Sequence, residues 1–228
     1  MKNIILQHFN GTLGELENLS VANIQQYAKF VEADYRLITG KPFNVNLTDP
    51  CQKMHMLHKE FDDYDTVLML DIDMFTPRGN TDNVFEEVGV GLFEPFQENL
   101  RRKFIDQYPA LGSIHAPYWG GAIYKLSKDL RLKLREQMDG RDNSWMQHSL
   151  VQFNKRFYFE DEGIIHTLAQ MAQISSVNAA INPKWCQNSY SPTLQKSGLI
   201  HIRKGTGVPG FERTKIENYN ILVQKGMI

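Results

Sequence analysis

Hydrophobic positions fall along this chain as short unbroken runs separated by segments of helical spacing. Ile4, Ile5 and Leu6 make residues 3–7 a buried-strand pattern. Ser20 offers an N-cap for a helix whose Ile24, Tyr27, Ala28 and Val31 share one face. Residues 35–39 (YRLIT) predict a second strand, ended by Gly40-Lys41-Pro42. Met54, Leu57 and Phe61 mark one face of another helix, and Val67 to Leu70 is a third strand, apolar at every position. This strand–helix alternation predicts an α/β fold with an open, mostly parallel central sheet covered by helices on both faces.

Later segments continue the pattern. Residues 117–124 join the glycine pair Gly120-Gly121 to an apolar strand, and Ser127 caps a helix with Leu130, Leu134 and Met138 on one face, stopped near Gly140. A further helix starts around Glu160-Asp161-Glu162 and runs through Ile165, Leu168 and Ala172. Residues 177–181 and 199–202 read as late strands. No internal repeat or low-complexity linker interrupts the chain, which predicts one domain over 1–228 with a looser tail from 206.

The third strand ends in Asp71-Ile72-Asp73. In open α/β sheets ligands bind beyond the carboxyl ends of the strands. Two carboxylates one residue apart share a side in extended chain and repel unless a cation or water separates them. The pair is therefore either a site for Mg²⁺ or Mn²⁺, completed by a diphosphate, or a solvated acidic turn. A haloacid-dehalogenase-like phosphatase also places DxD after an apolar strand. Here, however, Phe75 stands where such enzymes usually have Thr or Val, and no later GDxxxD-like motif follows.

Composition narrows the partners. Of 228 residues, 42% are hydrophobic and 22% charged, which suits a water-soluble globular domain, and the net charge of −1 supplies no field to recruit nucleic acid. No apolar run reaches the roughly 20 residues of a membrane span. Cys51 and Cys186, with no CxxC, read as reduced thiols of a cytoplasmic protein.

Several stations in order resemble a metal-dependent glycosyltransferase of the GT-A fold. CQKMHMLHKEFDDYDTVLMLDIDMF is similar to the helix, acidic turn and strand that lead to that family's metal-binding aspartates. YWGGAIYKLSKDL resembles the segment over the donor sugar, FEDEGIIHTLA the acidic helix start at the reacting centre, and INPKWCQ the stretch that follows it. HIRKG resembles the late histidine–glycine motif, without the fuller HxGxxKPW form. The resemblance implies a single Rossmann-like GT-A domain, with a nucleotide-binding half at about 1–75 and a donor-sugar and acceptor half at about 76–205. It is nearest to retaining families that use galactosyl or glucosyl donors, in soluble forms like those of bacteria and large viruses, the latter placing it in infected host cytoplasm.

What the resemblance implies for individual residues follows. Asp71, Asp73 and His201 would hold Mn²⁺ or Mg²⁺, with Asp71 binding the metal or the donor's ribose. His8, Asn10 and Lys53 would meet the nucleotide, Gly120 and Gly121 the sugar, and Lys204 with Gly205 the diphosphate, Arg203 being the weaker choice. Asp161 and Glu162 are the catalytic candidates, Glu162 matching a residue proposed as nucleophile in one retaining branch. The donor would be a UDP-sugar and the acceptor a saccharide or glycoprotein; a catalytically silent nucleotide-sugar or glycan-binding module is the alternative. Of the aromatics Tyr118, Trp119, Trp145 and Trp185, most are expected in the core and Trp119 is the one expected to stack on a ligand.

Overall fold

A computed structural model describes residues 1–93, 119–139, 160–174, 181–204 and 213–228. Its central sheet has strand order β2-β1-β3-β6-β5, with β1 at Asn3–Phe9, β2 at Asp34–Thr39, β3 at Thr66–Leu70, β5 at Gly91–Phe93 and β6 at Trp119–Ser127. β1 pairs in parallel with β2 and β3, whereas β6 runs antiparallel between β3 and β5, so every strand except β6 shares one direction. The mostly parallel sheet thus carries one reversed strand that sequence did not signal.

β3 shows why the sheet is covered on both sides. Val67, Leu68, Met69 and Leu70 are all fully buried. Alternate side chains point to opposite faces, and Val67 and Met69 enter one core while Leu68 and Leu70 enter the other. Each such burial contributes about 1.5–3 kcal/mol before entropy is counted. The first core takes Leu134 from helix α2 (Lys128–Met138), Ile164, Ile165 and Leu168 from α3 (Asp161–Met171), and Met54, Leu57 and Phe61. The second takes Ile24, Tyr27 and Ala28 from α1 (Glu15–Phe30).

Some local expectations differ. α1 begins after Gly14, and Ser20 lies inside it, buried. The Ser20 hydroxyl donates to the Met74 carbonyl (2.7 Å) and accepts from Gln7 Nε2 (3.0 Å). The predicted helix around Met54–Phe61 is two 3-10 segments, Pro50–Leu57 and Lys59–Phe61. Ser127 does cap α2, accepting from the Leu130 amide at 3.2 Å. Gly140 and residues 177–180 lie outside the described residues.

A small second sheet, β4-β8-β7, sits beside the first, with β4 at Met74–Phe75, β7 at Gln187–Asn188 and β8 at Ile200–His201. A third core beneath it gathers Phe75, Ile200, Ile202 and Leu16, with Leu222 of helix α4 (Lys215–Gln224). The segment expected to be a looser tail therefore contains a helix, closed at its start by a Thr214/Glu217 capping box. No described helix is long and apolar enough to cross a membrane.

Candidate active site

Asp71 and Asp73 are brought together by a turn and not by an extended strand. The Met74 amide donates to the Asp71 carbonyl at 3.2 Å, closing the turn between β3 and β4. Gln7 holds it from below, donating from Nε2 to the same carbonyl at 3.0 Å while its Oε1 accepts from Tyr35 (2.9 Å). The β4–β8 ladder then pairs Met74 with His201, and the Ile202 amide donates to the Asp73 carbonyl at 3.0 Å. Because Ile200 and Ile202 fill the core below, strand alternation turns His201 to the opposite face.

The result is a carboxylate–imidazole group. His201 Nε2 lies 3.1 Å from Asp73 Oδ1 and 3.7 Å from Asp71 Oδ2. Potential ligand atoms of Asp71, Asp73 and His201 all fall within 4.8 Å of one another. Lys215, at the first turn of α4, places its ammonium on Asp73 Oδ2. Burial works against the Asp73 carboxylate, yet His201 and then Lys215 outweigh it and hold its pKa well below the aspartate range. Burial also opposes the His201 imidazolium, but Asp73 overrides it and pushes that pKa up to about 10. Two protein cations thus gather on a buried carboxylate, the environment that a divalent ion would satisfy.

A second charge centre adjoins it. Lys53 Nζ, almost fully buried, contacts Asp71 Oδ1 at 2.6 Å, Asp161 Oδ2 at 2.7 Å and the Gly121 carbonyl at 2.7 Å. Burial penalises the ammonium, but Asp161 and Asp71 more than compensate and raise its pKa above the ordinary lysine range. Asp161 also accepts from the Tyr124 hydroxyl at 3.0 Å, and Glu162 Oε1 accepts from the Gly121 amide at 2.7 Å. A Cβ on Gly121 would lie 2.8 Å from Asp161 Oδ2 and 3.2 Å from Glu162 Oε1. The glycine therefore makes room for the acid pair of α3 against β6 while still bordering the cleft.

These groups line one cleft of about 740 Å³, at the carboxyl ends of β1 and β3. His8, Asn10, Lys53, Asp71, Asp73, Gly120, Gly121, Asp161, Glu162, His201 and Lys204 all border it. His8 donates from Nε2 to the Gly40 carbonyl at 2.7 Å, its pKa lowered by burial, and Asn10 donates to Asp49 at 2.9 Å. Lys204 and Arg203 are exposed at the rim. Gly205, Tyr118 and Trp145 lie outside the described residues. Trp119 is a correction: it is fully buried in the core, with Gly91 against its ring, and offers no face to a ligand. Trp185 is core as well, as expected.

Sequence reading missed Lys215, Gln7 and Tyr124. For Lys215 a signal existed, since Thr214-x-x-Glu217 announces a helix start and so fixes where the next side chain stands. Gln7 and Tyr124 sit in strands and carried no signal beyond being polar in apolar runs.

No family model and no curated protein matches the sequence. Among solved structures, the chain superposes on a glycosyltransferase involved in the glycosylation of the major capsid of PBCV-1, with a TM-score of 0.62 and 10% identity over 98% of this chain and 100% of that one. It also superposes on mouse xyloside xylosyltransferase 1, at a TM-score of 0.51 and 10% identity over 88% of this chain and 97% of that one. The chain has a GT-A-like fold. At such low identity the likeness is one of backbone, which agrees with the GT-A resemblance read from the order of motifs. A GT-A-like sheet also accounts for the place of the cleft, at strand ends where turns such as Asp71–Asp73 can project polar groups.

Proposed function

We propose that this chain is a metal-dependent glycosyltransferase that moves a hexose from a nucleoside-diphosphate sugar, UDP-linked in our reading, to a saccharide or glycoprotein acceptor. The observation that carries the proposal is the convergence of Asp71, Asp73 and His201 beside the Lys53–Asp161–Glu162 group in one cleft. Two carboxylates and one imidazole fit Mn²⁺, which accepts a mixed oxygen and nitrogen shell, better than Mg²⁺. When bound there, the ion would act as a Lewis acid that offsets charge growing on the departing diphosphate.

The remaining work falls to the chain. Lys215 leaves Asp73 for the diphosphate, and Lys204 at the rim adds a second positive charge there. His8 and Asn10, which border the cleft, are assigned to the nucleotide. Lys53 ties Asp71 to Asp161 and so fixes the metal side against the sugar side. Glu162, oriented by the Gly121 amide, is assigned to the anomeric carbon in a retaining reaction.

Screening nucleotide sugars for release of the nucleoside diphosphate tests the proposal. Release is expected with Mn²⁺, slow without acceptor and lost on chelation; no release from any nucleotide sugar, with or without acceptor, refutes it. Glu162→Ala is expected to lower turnover by on the order of a hundredfold or more while metal-linked UDP binding persists. Unchanged turnover in that variant removes Glu162 from the mechanism.

A further inference from the structure

A second group of ligand atoms lies outside the cleft. The segment Pro50–Leu57 that carries Lys53 inward leaves His55 partly buried at the surface, and His58 and Glu60 follow in the next turn, more exposed. None of these three borders the cleft. His55 Nε2 is 2.5 Å from Glu60 Oε1, and His58 Nδ1 is 3.4 Å from the same oxygen. The two imidazole rings stack, with centroids 5.0 Å apart and planes at 15°. One potential ligand atom from each residue lies within 4.8 Å of the others.

The surroundings hold this arrangement in place. Arg36 Nη1 binds the other carboxylate oxygen, Glu60 Oε2, at 2.6 Å, leaving Oε1 turned to the imidazoles. The Arg36 guanidinium lies over the Phe61 ring (5.3 Å), and the His55 ring meets Phe61 edge-on at 5.9 Å. Phe61 is fully buried, so one core residue orients both a ligand and the partner of another. Outer contacts of this kind are what fix ligand geometry in metal sites. The competing use of His58 Nδ1, as acceptor from the Glu60 amide, is long at 3.4 Å and weak.

We propose that His55, His58 and Glu60 form a second cation site, selective for zinc-class divalent ions. Two imidazoles and one carboxylate favour Zn²⁺, Ni²⁺ or Cu²⁺ over Mn²⁺ and Mg²⁺, the reverse of the oxygen-rich group at Asp71 and Asp73. Ligands about 2.1 Å from a tetrahedral ion stand roughly 3.4 Å apart. The His58–Glu60 pair already has that spacing. The His55–Glu60 pair, now joined by a hydrogen bond at 2.5 Å, would open by about an ångström as the ion takes the place of the bonding proton. A fourth position faces solvent. All three ligands come from the turns behind Lys53, so the ion would brace the segment that carries that lysine.

Calorimetric titration of Zn²⁺ in excess Mg²⁺ tests the site. The unmodified chain should bind one more Zn²⁺ than His58→Ala, whose exposed side chain can be removed without cost to the core. In Asp73→Ala/His201→Ala one equivalent should remain, and adding His58→Ala or Glu60→Gln should weaken it by about tenfold or more. Co²⁺ at this site should give the visible absorption of a tetrahedral complex, lost in His58→Ala. Zn²⁺ binding of equal number and strength in His58→Ala and the unmodified chain overturns the proposal, as does an unmodified chain that binds none.

Discussion

Alanine at Asp73 is expected to abolish metal-dependent UDP binding and to lower sugar transfer by on the order of 10³-fold. Asp73 is the best-placed ligand of the cleft: its side chain is only 5% exposed and it is held by both His201 and Lys215. Its removal leaves that imidazole and that ammonium facing a cavity without their shared counter-charge. An anionic nucleotide can still be drawn to the Lys215 ammonium and to Lys204 at the rim, so residual UDP affinity in Asp73→Ala should no longer respond to chelator. That altered response separates loss of the ion from loss of the pocket. His201→Ala keeps both carboxylates, and its metal affinity should fall by more than the 10–100-fold typical of losing an outer-shell partner. Calorimetry with UDP, with and without Mn²⁺, reads both effects, and circular dichroism checks that each variant folds. Full metal-linked binding in both variants would refute the site.

Legibility in the sequence followed physical locality. β3 could be read because four buried positions in a row leave few other structures available, and its two-sided burial is what is observed. The reversed direction of β6 was not legible, since an apolar strand pattern is the same for either orientation. Ser20 has the chemistry of a cap, but the same hydroxyl serves equally well inside a helix when two neighbouring strands offer partners. Asp71 and Asp73 were legible as a pair. Their meeting with His201 was suggested only by the order of motifs, because it depends on the β4–β8 register. Trp119 was misjudged because a neighbouring glycine pair suggests open backbone; its ring fills the core instead. Gly121 also admits the carboxylates of α3, a contact between residues 41 positions apart that no local pattern encodes.

Lys53 is where stability and function are most tightly joined, and Lys53→Ala is expected to damage both. The substitution leaves Asp71 and Asp161 facing each other without their common ammonium, and Asp161 is buried. Removing one partner of a buried ion pair costs about 3–5 kcal/mol, because the remaining charge stays in a low-dielectric site. For a chain of this size that corresponds to a fall in Tm of roughly 6–20 °C. Lys53→Met separates packing from charge: it restores most of the volume and none of the ammonium, so it should recover little. Adding Asp161→Asn to Lys53→Met removes the stranded charge and should recover a large part of the stability, a coupling that a double-mutant cycle measures directly. Activity should not return with it, since Asp71 would still lack the contact that ties it to the Gly121 strand. The pH dependence has a definite sign. A lysine whose folded pKa is raised stabilises fully below its ordinary value and loses that contribution only as pH rises through the folded value. The Tm gap between the unmodified chain and Lys53→Met should therefore not shrink as pH rises from about 6 to about 9, and it widens as the stranded Asp161, whose pKa burial raises, ionises in the variant. A gap that closes within that window, or a Lys53→Ala variant as stable as the parent, would mean that the ammonium does not bind the two acids together, and the link between the metal side and the sugar side of the cleft would have to lie elsewhere.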